Sequence, residues 1–306
     1  MCCGHCMTAI LTQRVKANGL EFEVAVCGDG PRFALMMHGF PECGFSWRHQ
    51  MPMLANKGYT VWAPDLRGYG GSDRPGRVRD YRMRNLVDDV TGLIDAAGAK
   101  ETLLVGHDWG GAIAWIFALA GIRPLERLIV MNLPHPRLFR RGLRTWKQLR
   151  RSWYIFFFQL PWLPERILGA NGARRVSGMI RGSAAIKDRF PGEVLEVYRQ
   201  NAAQPGALPA MLAYYRAYIR HGVDQDLARA AYRTLETPTL MIWGEEDTAL
   251  GKELTFGTDE LVSDFTLRYL PGVSHWVQQE APDTVNTMIE AWLDGREVPE
   301  ASDIVY

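Results

Sequence analysis

Long apolar runs are missing from this chain. None reaches the roughly 18 to 20 uncharged residues needed to span a bilayer; the nearest, residues 153–163, is short and broken by Gln159 and Pro161. An excess of one charge is missing too: 35 Lys and Arg stand against 34 Asp and Glu, leaving a formal net charge of +1 and no global field to draw in nucleic acid. Cysteine is scarce. Three of the five (Cys2, Cys3, Cys6) crowd the first six positions around His5, while Cys27 and Cys43 stand alone. That is no disulfide framework, and without a secretory leader it suits a reducing, cytoplasmic setting. The Cys-Cys-Gly-His-Cys start holds zinc-ligand types, but spaced too closely for a usual structural site, so a frayed tail is expected there and no metal or organic cofactor anywhere. Internal repeats and low-complexity stretches are also lacking.

What is present has the composition of a globular protein, 47% hydrophobic and 23% charged, and 306 residues suffice for one large core with an insertion. Apolar segments alternate with helix-like ones, the pattern of a parallel sheet covered on both faces. Asn18-Gly19 suits a hairpin joining residues 10–17 to 20–27. Further strands are predicted at 33–38, 59–64, 102–107, 127–132, 239–243 and 266–270, with helices at 83–97 and 109–120. The rhythm stops between His135 and Thr237, where aromatic, helix-like sequence takes over. The expected organisation is a tail at 1–9, an α/β core at 10–136 and 233–296, a helical cap at 137–232 over the carboxyl edge of the sheet, and a tail at 297–306.

The chemistry starts at Gly106-His107-Asp108-Trp109-Gly110-Gly111, directly after an apolar strand. Flanking glycines permit a tight strand-to-helix turn that lifts its central side chain above the sheet, and that side chain is a carboxylate where such turns usually carry serine. A carboxylate acylates poorly but can displace a leaving group from sp3 carbon, forming an alkyl ester. Asp108 therefore points to epoxides or alkyl halides; the plain alternative is a turn whose Asp caps the next helix. Cleaving such an ester needs a base, and His275 follows the last strand. An acid must orient that imidazole, and Glu245, Glu246 and Asp247 all end the preceding strand. The loop at His38-Gly39-Phe40-Pro41-Glu42 can present the Phe40 amide to an oxyanion, with the Trp109 amide as second donor.

These residues carry a family resemblance. His38 to Glu42, Asp65 to Asp73, Gly106 to Gly111, Asn132 to Pro136 and Gly272-Val273-Ser274-His275-Trp276 resemble the motifs of soluble epoxide hydrolases of the α/β-hydrolase superfamily, in order, over residues 14–294. The resemblance implies an α/β-hydrolase fold with a mostly parallel eight-stranded sheet flanked by helices and an inserted helical cap. It implies Asp108 as nucleophile, His275 as base and Asp247, rather than its glutamate neighbours, as the orienting acid. Two cap tyrosines would donate to the epoxide oxygen: Tyr154, and Tyr215 in preference to Tyr214. Pro41, Trp109, Tyr214 and Trp276 are the expected substrate contacts. Cys43 departs from the bulkier residues of relatives and leaves either extra room or a small packed side chain.

The implied reaction takes an epoxide and water to a vicinal diol. A haloalkane or haloacid dehalogenase would use the same carboxylate, histidine and acid, but a halide leaves best against N–H donors whereas a basic alkoxide needs a phenol. A noncatalytic binding protein is the reading from another class, and would be signalled by loss of Asp108 or His275. A basic run, Arg137, Arg140, Arg141, Arg144, Lys147, Arg150 and Arg151, meets no acidic residue between Glu126 and Glu165. It reads as a solvated helix face or as a weak contact with anionic membrane surfaces. The sequence fits a monomer or a homodimer equally.

Overall fold

Asn18 and Gly19 both take positive φ, 47° and 72°, as a two-residue hairpin turn requires, and join β1 (Leu11–Ala17) to β2 (Leu20–Cys27) with Ala17 opposite Leu20. The computed structural model describes residues 9–304. The expected N-terminal tail, with Cys2, Cys3, His5 and Cys6, therefore lies outside the described residues, Ala9 apart. Six further strands complete one sheet: β3 (Arg32–Met37), β4 (Tyr59–Pro64), β5 (Thr102–His107), β6 (Leu125–Met131), β7 (Thr239–Gly244) and β8 (Phe265–Leu270). Their order is β1-β2-β4-β3-β5-β6-β7-β8. The β1–β2 and β2–β4 pairs are antiparallel and all later pairs parallel, giving the mostly parallel eight-stranded sheet that the sequence predicts.

Alternation along the strands divides the core. In β3, Phe33, Leu35 and Met37 face one layer while Ala34 and Met36 face the other. The first layer holds α2 (Met83–Ala96) and α3 (Trp109–Ala120); the second holds α1 (Gln50–Asn56) and a later helix at Pro282–Leu293. Burial on both faces is why these strands read as near-continuous apolar runs.

Between β6 and β7 the chain is helical: α4 (Pro136–Gly142), α5 (Trp146–Arg151), α6 (Trp153–Phe157), α7 (Leu163–Ser183), α8 (Gly192–Ala203), α9 (Ala207–His221) and α10 (Gln225–Ala230). Two helices, α11 (Val277–Glu280) and α12 (Pro282–Leu293), follow β8. The α7 helix is broken at Ala170 to Ala173, three of which take positive φ. No helix among the described residues is long and apolar enough to cross a membrane. Residues 297–304, expected as a tail, instead lie along β8: Arg268 donates to the Val298 carbonyl (3.0 Å from Nε), and Val298 is buried.

Candidate active site

The turn after β5 holds Asp108 at φ 48°, ψ −120°, a conformation rare for a side chain with a Cβ. Glycine is what lets the neighbouring backbone close in. A Cβ on Gly39 would collide with the Asp108 side chain, and one on Gly106 would meet the Gly110 carbonyl oxygen at 2.5 Å. With that room, the Phe40 amide donates to Asp108 Oδ1 at 2.8 Å. The other oxygen, Oδ2, faces His275 Nε2 at 3.6 Å, near enough for charge to act but beyond hydrogen-bond length. Trp109 begins α3, so its amide has no partner in the helix ladder.

His275 stands in the loop between β8 and α11 and donates from Nδ1 to Asp247 Oδ2 at 2.6 Å. Asp247 is held from every side. Its Oδ1 accepts the amides of Ala249 (2.8 Å) and Leu250 (2.9 Å), and its Oδ2 also accepts Asn132 Nδ2 (2.8 Å). Only acceptor positions are used, so Asp247 is ionised and the imidazole is fixed with its Nδ1 protonated. Of its neighbours, Glu246 is exposed and Glu245 pairs with Lys252 at the surface.

Burial alone would raise the Asp108 pKa, but the interaction with His275 and the Phe40 amide outweighs it and holds the carboxyl below its ordinary value. Burial also raises Asp247, and again the charge of His275 and the bonds from Asn132 and Leu250 reverse the sign. For His275 desolvation lowers the pKa, yet the two carboxylates lift it well above the ordinary imidazole value.

A cavity of about 910 Å³ opens over this group, lined at its base by Asp108, His275, Phe40 and Trp276 and above by Tyr154, Tyr215, Phe158 and Met179. A smaller, mostly apolar space of about 100 Å³ continues past Asp108, Tyr154 and Tyr215 to Trp109, Phe139 and Tyr218. The α6 helix brings Tyr154 and the α9 helix brings Tyr215, their rings edge-on with centroids 5.9 Å apart. Burial, and then the charge of Asp108, push both phenols up, so each keeps its proton.

Asp108, His275, Asp247, Tyr154, Tyr215, Phe40, Trp109 and Trp276 are thus brought together, whereas two expected substrate contacts are not. Tyr214 lines neither cavity: its hydroxyl donates to the Arg67 carbonyl (2.8 Å), because one residue along α9 turns its side chain toward the loop that follows β4, against Tyr69 and Tyr81. Pro41 is buried and also lines neither cavity. Cys43 is packed, with its sulfur accepting from Asn201 Nδ2 at 3.1 Å.

Two supports had no assigned role in the sequence. Asn132 joins the end of β6 to β7, its Oδ1 accepting the Gly244 amide (2.9 Å) while its Nδ2 reaches Asp247. Glu42 lies wholly buried, bonded to His107 Nδ1 (2.7 Å), Gln278 (3.0 Å) and Gln279 (2.6 Å), while His107 Nε2 donates to the His275 carbonyl (2.8 Å). Both residues sit inside motifs quoted above, the one signal available. Among the described residues no group of three or more His, Cys, Asp or Glu side chains could hold a metal ion.

Comparison with known proteins agrees with this architecture. A family profile described as alpha/beta hydrolase fold matches residues 35–282. The chain is 38% identical to AB hydrolase superfamily protein YfhM of Bacillus subtilis, over 94% of this chain and 99% of that one. It is 37% identical to epoxide hydrolase 4 of Mus musculus, over 92% of this chain and 78% of that protein. Among solved structures, an epoxide hydrolase of Bacillus megaterium in complex with an inhibitor superimposes with a TM-score of 0.84 at 30% identity, covering 92% of this chain and 100% of that one.

Proposed function

The chain belongs to the α/β-hydrolase fold family, in its epoxide hydrolase branch, and from that premise we propose that it converts an epoxide and water to a vicinal diol through an alkyl ester of Asp108. The observation that carries the reading is the pair of buried phenols, Tyr154 and Tyr215, sharing one cavity with an ionised carboxylate. Asp108 Oδ2 attacks one epoxide carbon and the C–O bond to that carbon breaks. The oxygen leaves as an alkoxide that takes a proton from a tyrosine hydroxyl, and the tyrosinate recovers a proton from the imidazolium of His275, leaving that ring neutral. His275, oriented by Asp247, then removes a proton from water, which adds to the ester carbon. The resulting oxyanion is stabilised by the amide of Phe40, already bonded to Oδ1, and by that of Trp109. Expulsion of the diol regenerates the carboxylate. The helical insertion acts as a cap, supplying the proton donors and keeping bulk water from the ester. No metal or organic cofactor enters this scheme.

Dehalogenation is the second reading, favoured by the indole of Trp109 beside the smaller cavity. The two are separated by one experiment. Replacing Tyr154 or Tyr215 with Phe should each slow Asp108 alkylation by styrene oxide in part. Replacing both should remove the general-acid contribution, about a hundredfold to ten-thousandfold. The rate is read in a pre-steady-state quench, since turnover can report ester hydrolysis instead. Undiminished alkylation in the double variant, or halide release from a chloroalkane, would move the assignment to the dehalogenases.

A further inference from the structure

One stretch of the helical insertion puts four large aromatic side chains outside. Trp146, Trp153, Phe156 and Trp162 are 73, 63, 53 and 66% exposed, and Leu160 joins them at the surface. Trp153, Phe156 and Leu160 follow at helical spacing, while the buried residues between them, Ile155 and Phe158, already anchor the segment to the core. Solubility gives no reason to display four large aromatics within 17 residues. The same stretch is cationic. No acidic residue occurs between Glu126 and Glu165, and although Lys147 and Arg151 lean on Glu253, Arg144 and Arg150 have no ion-pair partner among the described residues.

We propose that residues 144–162 form a docking surface for an anionic phospholipid membrane. Indoles between cations are the chemistry of the interface: the rings settle among headgroups and upper acyl chains while arginines meet lipid phosphates. A second copy of the chain is the weaker match, because two such patches would bring their positive charges together. The patch also borders the large cavity, whose exposed lining includes Trp146, Lys147, Arg150 and Trp153. A docked molecule therefore opens its site onto the lipid, where an apolar substrate concentrates. That last consequence rests on the epoxide reading; the docking does not.

Vesicle flotation tests it without turnover. The full-length protein should float with phosphatidylcholine vesicles containing phosphatidylglycerol about tenfold more tightly than with phosphatidylcholine alone, and high salt should weaken the binding. The double substitution Phe156→Ser with Trp162→Ser should lower binding to the anionic vesicles by about tenfold. Arg144→Glu, a fully surface change, should lower it severalfold and stands in should the double variant fail to fold. Equal flotation with both vesicle types, or undiminished binding by the variants, would overturn the proposal. So would a wild-type dimer in sedimentation that Phe156→Ser with Trp162→Ser turns into a monomer, since a second copy would then cover the patch. Failure of any arm leaves the assignment of Asp108 untouched.

Discussion

At the scale of single residues, the site is organised by charge that changes during the reaction. The two carboxylates raise His275 above the ordinary imidazole value and so favour its protonated form in the resting protein. Esterifying Asp108 would cancel one of those charges, so the imidazole pKa falls when a base is needed. The two half-reactions should then differ in pH response. Alkylation stays flat on the acid side until Asp108 itself protonates, which its lowered pKa delays, and declines in strong alkali only as the buried phenols ionise. Ester hydrolysis should slow as pH falls through the His275 pKa of the ester state. Rapid-quench rates of each step would show this, and His275→Gln should trap an adduct of one substrate mass visible by intact-protein mass spectrometry. Parallel pH profiles, or an adduct persisting in Asp108→Ala, would rule the scheme out. At this scale much was legible, because Asp108, Phe40 and His275 each lie in a short motif at a strand end. Tyr214 was not separable from Tyr215 by chemistry; helix phase alone sends one to the cavity and the other to the Arg67 carbonyl.

At the scale of elements, α9 and the turn after α6 are tied by one side chain. Arg216 donates to the carbonyls of Phe158 (2.9 Å from Nε) and Leu160 (2.8 Å from Nη2) and pairs with Glu165. Those bonds set the separation of the helices carrying Tyr154 and Tyr215. Arg216→Met should remove all three and leave buried acceptors unpaired, at a cost of about 2–4 kcal/mol in stability. Alkylation of Asp108 should drop further than the folded fraction does, as denaturant melts and quench rates would reveal; equal losses would make Arg216 merely structural. The strands and hairpin were readable from period and turn chemistry. The division of residues 137–232 into seven helices was not. Its aromatics give no clean stripe, since Tyr154 and Phe158 line the cavity while Phe156 and Trp162 point to solvent.

At the scale of the whole molecule, one apolar cluster runs without interruption from the sheet into the insertion. It joins Leu104, Ile113 and Leu128 to Leu138, Ile155, Phe158, Val176 and Met211. A segment sharing its core with the sheet has little independent stability to retain. Heating should therefore produce a single transition, with far-ultraviolet dichroism, tryptophan emission and loss of activity superimposing. An early loss of activity with secondary structure intact would mean that the insertion melts by itself. Sequence could locate the insertion by the break in the strand rhythm, but not this continuity, which comes from contacts between residues far apart along the chain.

The Phe40 amide makes the two oxygens of Asp108 unequal, and isotopes should register the difference. Water attacks the ester carbon, so the oxygen leaving with the diol is the one that bonded to substrate, while the clamped Oδ1 stays behind. In heavy-oxygen water the first diol released should be unlabelled and the Asp108 peptide should gain one heavy atom. Further turnovers would add a second only if the freed carboxylate rotates before the next epoxide arrives. The count of heavy atoms in that peptide thus records how often the clamp lets go between turnovers.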